Sequence, residues 1–169
     1  MITDAWVCWP ENCTICYNVT NIGDGTAQAG HNASLYVDGV AVASNDVPGE
    51  LAPNAIHTGC FNDYNWTYTP SEDNLTVCAD CNNTVEETDE TNNCMMSTWM
   101  CGDVNCNGAV DMSDVIDLLY YVGYPGKYTI CSEWAADVNR DRYVDMSDVR
   151  ALLYYVGYPG QYGLNCGCT

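Results

Sequence analysis

Residues 1–100 contain no lysine or arginine, and the whole chain sets 4 such residues against 23 acids, a formal charge of −19 at pH 7. A polyanion of this density repels phosphate backbones and anionic lipid headgroups, which argues against nucleic-acid binding and a basic membrane anchor. Long apolar runs are missing too. None approaches the roughly 20 residues that span a bilayer. The start lacks the basic and apolar segments of a leader peptide, so any leader is expected to have been removed or never included. Phenylalanine occurs once, which leaves aromatic packing to 13 Tyr and 5 Trp. Those residues suit small cores, interfaces or carbohydrate stacking. What is present is a 47% hydrophobic content over 169 residues, too much for a disordered acidic tail and enough for one or two small domains.

Cysteine is abundant: Cys8, Cys13, Cys16, Cys60, Cys78, Cys81, Cys94, Cys101, Cys106, Cys131, Cys166 and Cys168. An even count at this density implies disulfides in an oxidising compartment. Six Asn-x-Ser/Thr acceptors, Asn12, Asn18, Asn32, Asn65, Asn74 and Asn82, point the same way, to an extracellular, N-glycosylated chain. Cys13-x-x-Cys16 and Cys78-x-x-Cys81 would read as zinc or redox pairs in a reducing cytosol. In this context disulfides prevail. Residues three apart lie on opposite strand faces, so each pair is expected to bond outward to other strands. Cys81 and Cys94 flank an acidic hairpin, and a bridge is expected between them.

Composition breaks near residue 100. The first 100 residues hold all six glycan acceptors, both histidines and 14 of the 23 acids. Lys127, Arg140, Arg142 and Arg150 all lie beyond it. We therefore place one domain at 1–100 and another at 101–169. The first reads as all-β, with strands expected in DAWVCW, TICYNVT, SLYV, VAVA, NWTYT, NLTVCA and MMSTWM between Gly, Asn, Asp and Pro punctuation. Asp38-Gly39 is a two-residue hairpin signal. Seven strands in this length suit a β-sandwich of the Ig type. The second domain carries a duplication. GDVNCNGAVDMSDVIDLLYYVGYPG starts at Gly102, and ADVNRDRYVDMSDVRALLYYVGYPG starts 34 residues later at Ala136. VIDLLYYV and VRALLYYV are helical in period, each stopped by Gly-Tyr-Pro-Gly and each opened by an Asp-rich loop.

Those loops match the twelve-residue pattern for a hard dication, with oxygen ligands at positions 1, 3, 5, 7 (backbone), 9 and 12 and a glycine at 6. The first supplies Asp103, Asn105, Asn107, the Ala109 carbonyl, Asp111 and Asp114, with Gly108 at the turn. The second supplies Asp137, Asn139, Asp141, the Tyr143 carbonyl, Asp145 and Asp148, with Arg142 where glycine is expected. A positive φ there costs a side-chain-bearing residue about 1 kcal/mol. Oxygen-only donors rich in carboxylate select calcium over zinc, and two calcium ions are expected. The plainer reading, acidic turns that merely cap helices, accounts poorly for two matches in register. Glu86, Glu87, Asp89 and Glu90 form either a third cation site or a solvated acidic turn. His31 and His57 have no nucleophile nearby and read as loop residues. No cleft is evident that would raise the pKa of a catalytic acid, so an enzyme is not expected.

DVNCNGAVDMSD and DVNRDRYVDMSD, each leading into a helix, resemble the repeats of a type I dockerin over residues 101–169. The resemblance implies a small all-α unit ordered by calcium that docks onto a cohesin, itself a β-sandwich. It places partner contacts at Met112, Ser113, Leu119, Tyr120 and Tyr124 and at their counterparts Met146, Ser147, Leu153, Tyr154 and Tyr158. The pseudo-twofold fold it implies would bring Cys101 near Cys166 or Cys168. YNVTNIGDGTA, LYVDGV and ADCNNTVEETDETNNC resemble CARDB-type modules, adhesion-related Ig-like sandwiches of prokaryotic surface proteins. The combination is similar to archaeal cell-surface proteins. Three roles follow. The dockerin-like half docks onto the sandwich of the next copy, giving head-to-tail assembly or a filament; or it is an adaptor for a separate cohesin; or the chain is a glycan-binding adhesin.

Overall fold

The computed structural model describes residues 1–10 and 12–167. The chain divides into two compact units, one of Met1–Cys8, Thr14–Trp66 and Asn74–Ser97, the other of Trp9–Cys13, Thr67–Asp73 and Thr98–Thr169. Among the described residues the first unit is built on β1 (Ile2–Cys8), β2 (Thr14–Thr20), β3 (Asn32–Val37), β4 (Val40–Asp46), β5 (Ile56–Cys60), β6 (Asp73–Ala79) and β7 (Cys94–Trp99). They form two sheets, ordered β1-β2-β5 and β4-β3-β6-β7. The period-2 alternation of apolar residues explains the layering. Ile15, Tyr17 and Val19 of β2, Ala33 and Leu35 of β3, and Leu75 and Val77 of β6 are all buried, with Val47 and Phe61 completing the core. Asp38 and Gly39, at φ of 48° and 77°, make the tight turn between β3 and β4.

One expected strand is misplaced. NWTYT is not a strand; the strand after β4 is IHTGC, which is β5. Its glycine reads as turn punctuation in the sequence, yet in the fold Gly59 faces Tyr17 of β2. A Cβ there would sit 2.5 Å from the Tyr17 hydroxyl and 2.6 Å from its ring, so the missing side chain makes room for a fully buried tyrosine. The residues after Asn65 leave the sheet: Trp66 is buried, and Thr67 begins a segment of the second unit. His57 lies within β5 rather than in a loop, and His31, just before β3, is buried with Nδ1 2.8 Å from the Gln28 carbonyl.

The disulfides follow strand adjacency. Cys16 and Cys60 are direct partners across β2 and β5 and are bonded. Cys78 bonds to Cys94 across β6 and β7. The expected Cys81–Cys94 bridge is not formed, because β6 ends at Ala79 and the backbone turns at Asp80 and Asn83, both at positive φ. That turn leaves Cys81 exposed as a free thiol.

The second unit is organised by α1 (Met112–Gly123), a short α2 (Glu133–Ala136) that the helical period did not signal, and α3 (Met146–Gly157). Val104, Val115 and Leu118 and their repeat mates Val138, Val149 and Leu152 are buried. Trp134 of α2 is almost wholly buried, edge-on to Tyr68 at 5.2 Å and Trp99 at 5.9 Å. Cys101 bonds to Cys166 and Cys106 to Cys131. The alternative Cys101–Cys168 pairing lies outside the described residues.

Candidate metal centres

Asp111 and Asp145 cap α1 and α3, each accepting a 2.7 Å bond from the N–H of Ser113 or Ser147. Asp114 and Asp148 return the favour to the cap backbone, completing a capping box at each helix start. The acids of positions 9 and 12 are thereby held by the helix itself. Asp114 also accepts from the N–H groups of Val104 and Asn105, which ties the loop's first residues to its last. Asp103 accepts from Asn107 and Gly108, and Asp137 accepts from Asp141 and Arg142, all at 2.9–3.1 Å. Asn105, Asn107, Asn139 and Asp141 each accept a backbone N–H two residues on. The two loops share one hydrogen-bonded scaffold.

The scaffold gathers acids. Carboxylate oxygens of Asp137, Asp141 and Asp148 all lie within 4.8 Å of one another. Asp114, Asp137 and Asp148 are fully buried, and Asp103 nearly so. Burial pushes the Asp114 carboxyl above its usual range, with Asp103 adding repulsion. Burial likewise raises Asp137, against donors from Trp9, Arg142 and Asp141. Asp148 is pushed up to about 6, first by burial and then by the charges of Asp137 and Asp141. Asp111 and Asp145 are instead held low by the hydroxyls and N–H groups of Ser113 and Ser147. Buried like charges at this spacing are costly unless a cation neutralises them. The donor set fits a hard dication: oxygen throughout, and more carboxylate in the second loop than in the first.

The turn at position 6 has the expected backbone. Gly108 sits at φ 85° and Arg142 at φ 71°. Replacing Arg142 by glycine removes the strain of a left-handed arginine, so R142G is expected to stabilise the chain by about 1 kcal/mol, seen as a raised urea midpoint. An unchanged or lowered midpoint would show that contacts of the Arg142 side chain outweigh the strain.

The acidic run in the first unit behaves differently. Glu90 accepts from the Glu87 N–H and from Asn93, and Asp89 accepts from Thr91. Among the described residues the only carboxylate cluster is that of the second loop. Of the glycan acceptors, Asn12, Asn65 and Asn82 are exposed and Asn18, Asn32 and Asn74 half-buried. The amide nitrogen of Asn32 donates to Ser34 and Ser44, and that of Asn82 to the Gly30 carbonyl.

Met112, Leu119, Tyr120 and Tyr124 are exposed, as are Met146, Leu153, Tyr154 and Tyr158. Ser113 and Ser147 are half-buried, their hydroxyls bonded to Asp111 and Asp145 and approached by Asn105 and Asn139. Sequence reasoning missed Tyr128 and Tyr162. Tyr128 stacks on Tyr120 at 5.1 Å and Tyr162 on Tyr154 at 5.4 Å. Extending the repeat past Gly-Tyr-Pro-Gly to Lys127-Tyr128 and Gln161-Tyr162 would have found them.

The first unit is an Ig-like sandwich in class. The chain belongs to the CARDB family, whose profile matches residues 4–97. CARDB modules are non-catalytic. A search of curated proteins finds no match. Among solved structures, the 272–376 domain of a proposed cell surface protein from Methanosarcina acetivorans is 28% identical with a TM-score of 0.47, covering 59% of this chain and 85% of that one. The CARDB domain of a Pyrococcus furiosus protein, solved in complex with di-metal ions, is 21% identical with a TM-score of 0.45, covering 57% and 81%. Among the described residues no helix is long and apolar enough to cross a membrane.

Proposed function

We propose that this chain is an extracellular surface protein whose CARDB sandwich carries a calcium-ordered, dockerin-like unit, and that this unit docks onto the sandwich of the next copy. The observation that carries the reading is the cluster of buried Asp137 and Asp148 with exposed Asp141 at the start of a helix with an exposed apolar face. A cation in each loop would fix the helix starts, and with them the paired faces of Leu119, Tyr120 and Tyr124 and of Leu153, Tyr154 and Tyr158. Residues 1–100 hold 14 acids and no base, and residues 101–169 hold 9 acids against 4 bases. Both halves are therefore acidic, and the contact would rest on the exposed apolar faces rather than on net charge. The glycan acceptors and the disulfides support an extracellular setting. A docking surface on one end of a chain and its receptor on the other propagates head to tail unless it closes into a ring.

Negative-stain microscopy of the purified chain tests this. Filaments in calcium that shorten or dissolve on chelation are expected. Dispersed particles in both conditions would overturn self-assembly and move the partner to a separate cohesin-like sandwich. Glycan binding that survives chelation would favour an adhesin acting through the aromatics of the sandwich.

A further inference from the structure

The two loops treat their first ligand alike except in one respect. Asp103 and Asp137 each accept two backbone N–H groups from within their own loop. Asp137 gains a third donor from 128 residues away in sequence: the Trp9 indole N–H reaches its Oδ2 at 3.2 Å. Among the described residues Asp103 has no such side-chain donor. Trp9 belongs to the Trp9–Cys13 segment of the second unit, and Cys13, at the end of that segment, is buried and disulfide-bonded.

The asymmetry falls on the loop that needs it. The second loop has Asp141 where the first has Asn107, which adds a negative charge to the cluster, and Arg142 at φ 71° where the first has Gly108. Both features oppose the closed loop before a cation arrives. An indole N–H on Oδ2 offsets part of that charge and holds the Asp137 carboxylate in one orientation. Arg142 also donates to Oδ2, whereas Oδ1 accepts from Asp141. Oδ1 is therefore the less heavily used oxygen and keeps a lone pair for the cluster.

We propose that Trp9 is a positioning residue for the second cation site, setting the Asp137 carboxylate and so raising that site's affinity above what its own loop supplies. The proposal rests on the calcium reading above. Hydrogen-bond partners of metal ligands are worth roughly 10- to 100-fold in affinity. The test is calorimetric calcium titration of the full chain and of Trp9→Phe, which keeps a ring and deletes the donor, with the sites assigned by the Gly108 and Arg142 amide shifts. The second site is expected to weaken by about 10-fold or more while the first is unchanged. Two unchanged sites, or two equally weakened ones, would overturn the role. An original chain that binds no calcium would overturn the calcium reading itself, and is thereby told apart. Should Trp9→Phe fail to fold, the Trp9 indole resonance of the original chain carries the test. It is expected to shift with occupancy of the second loop, and an indole signal that stays still while that loop fills would sink the proposal.

Discussion

If the loops hold calcium as proposed, chelation at neutral pH is expected to reduce the helical signal of α1 and α3, and acidification to restore part of it. Asp114, Asp137 and Asp148 are buried and their carboxyls sit above the usual range, Asp148 at about 6. A carboxyl raised in the folded state binds its proton more tightly there than in the unfolded chain. The contribution of these three groups to the ion-free fold is thus fully present at about pH 4, near the ordinary Asp value. Asp111 and Asp145, held low by Ser113 and Ser147, act with the opposite sign at more acid pH. The contribution of the three buried groups is lost as pH rises towards 6. Above that, the buried anions repel one another in full. On the proposed reading calcium is expected to reverse the trend, because it would need the ionised ligands and its stabilisation would fade as they protonate. Thermal melts at pH 4.5 and 7.5, with calcium and with chelator, should converge at the acid end and separate widely at neutral pH. Superimposed melts at pH 7.5 would mean that the loops stabilise nothing through a cation.

The second large effect is covalent. Cys101–Cys166 spans 65 residues, against 25 for Cys106–Cys131 and 16 for Cys78–Cys94. On chain-entropy grounds a loop of that length restrains the unfolded state by about 4 kcal/mol, more than either shorter one. Both cysteines are buried, so the double Cys101→Ala, Cys166→Ala variant also leaves a small packing defect. A unit this small has only about 5–15 kcal/mol in hand. The variant is expected to lower the melting temperature by on the order of 20 °C in calcium, measured by circular dichroism. A fall of only a few degrees would mean that the core and the cation loops hold the unit without this clasp.

The parts of the structure readable from sequence are those whose determinants lie close together along the chain. Asp38-Gly39 forms the hairpin because both residues take positive φ. Asp111 with Asp114, and Asp145 with Asp148, cap their helices across three residues. The loop scaffold is built from donors two to ten residues from their acceptors. Even the positive φ at Arg142 follows from its place in a twelve-residue pattern. The 34-residue duplication repeats the capping and loop signals, which is why the candidate cation loops are legible in the sequence alone.

Other features were settled only when distant segments met. IHTGC is a strand because Tyr17 needs the space that Gly59 leaves, and nothing within those five residues says so. Cys78 rather than Cys81 reaches Cys94 because the strand ends one residue after Cys78 and the next residues turn away. Tyr68 and Trp99 meet Trp134 from separate stretches of chain, and Trp9 meets Asp137 across 128 residues. Local periodicity and turn chemistry act over a few bonds and so can be read from the chain. Which cysteine, which glycine and which indole find one another is decided by packing, whose partners become neighbours only once the chain has folded.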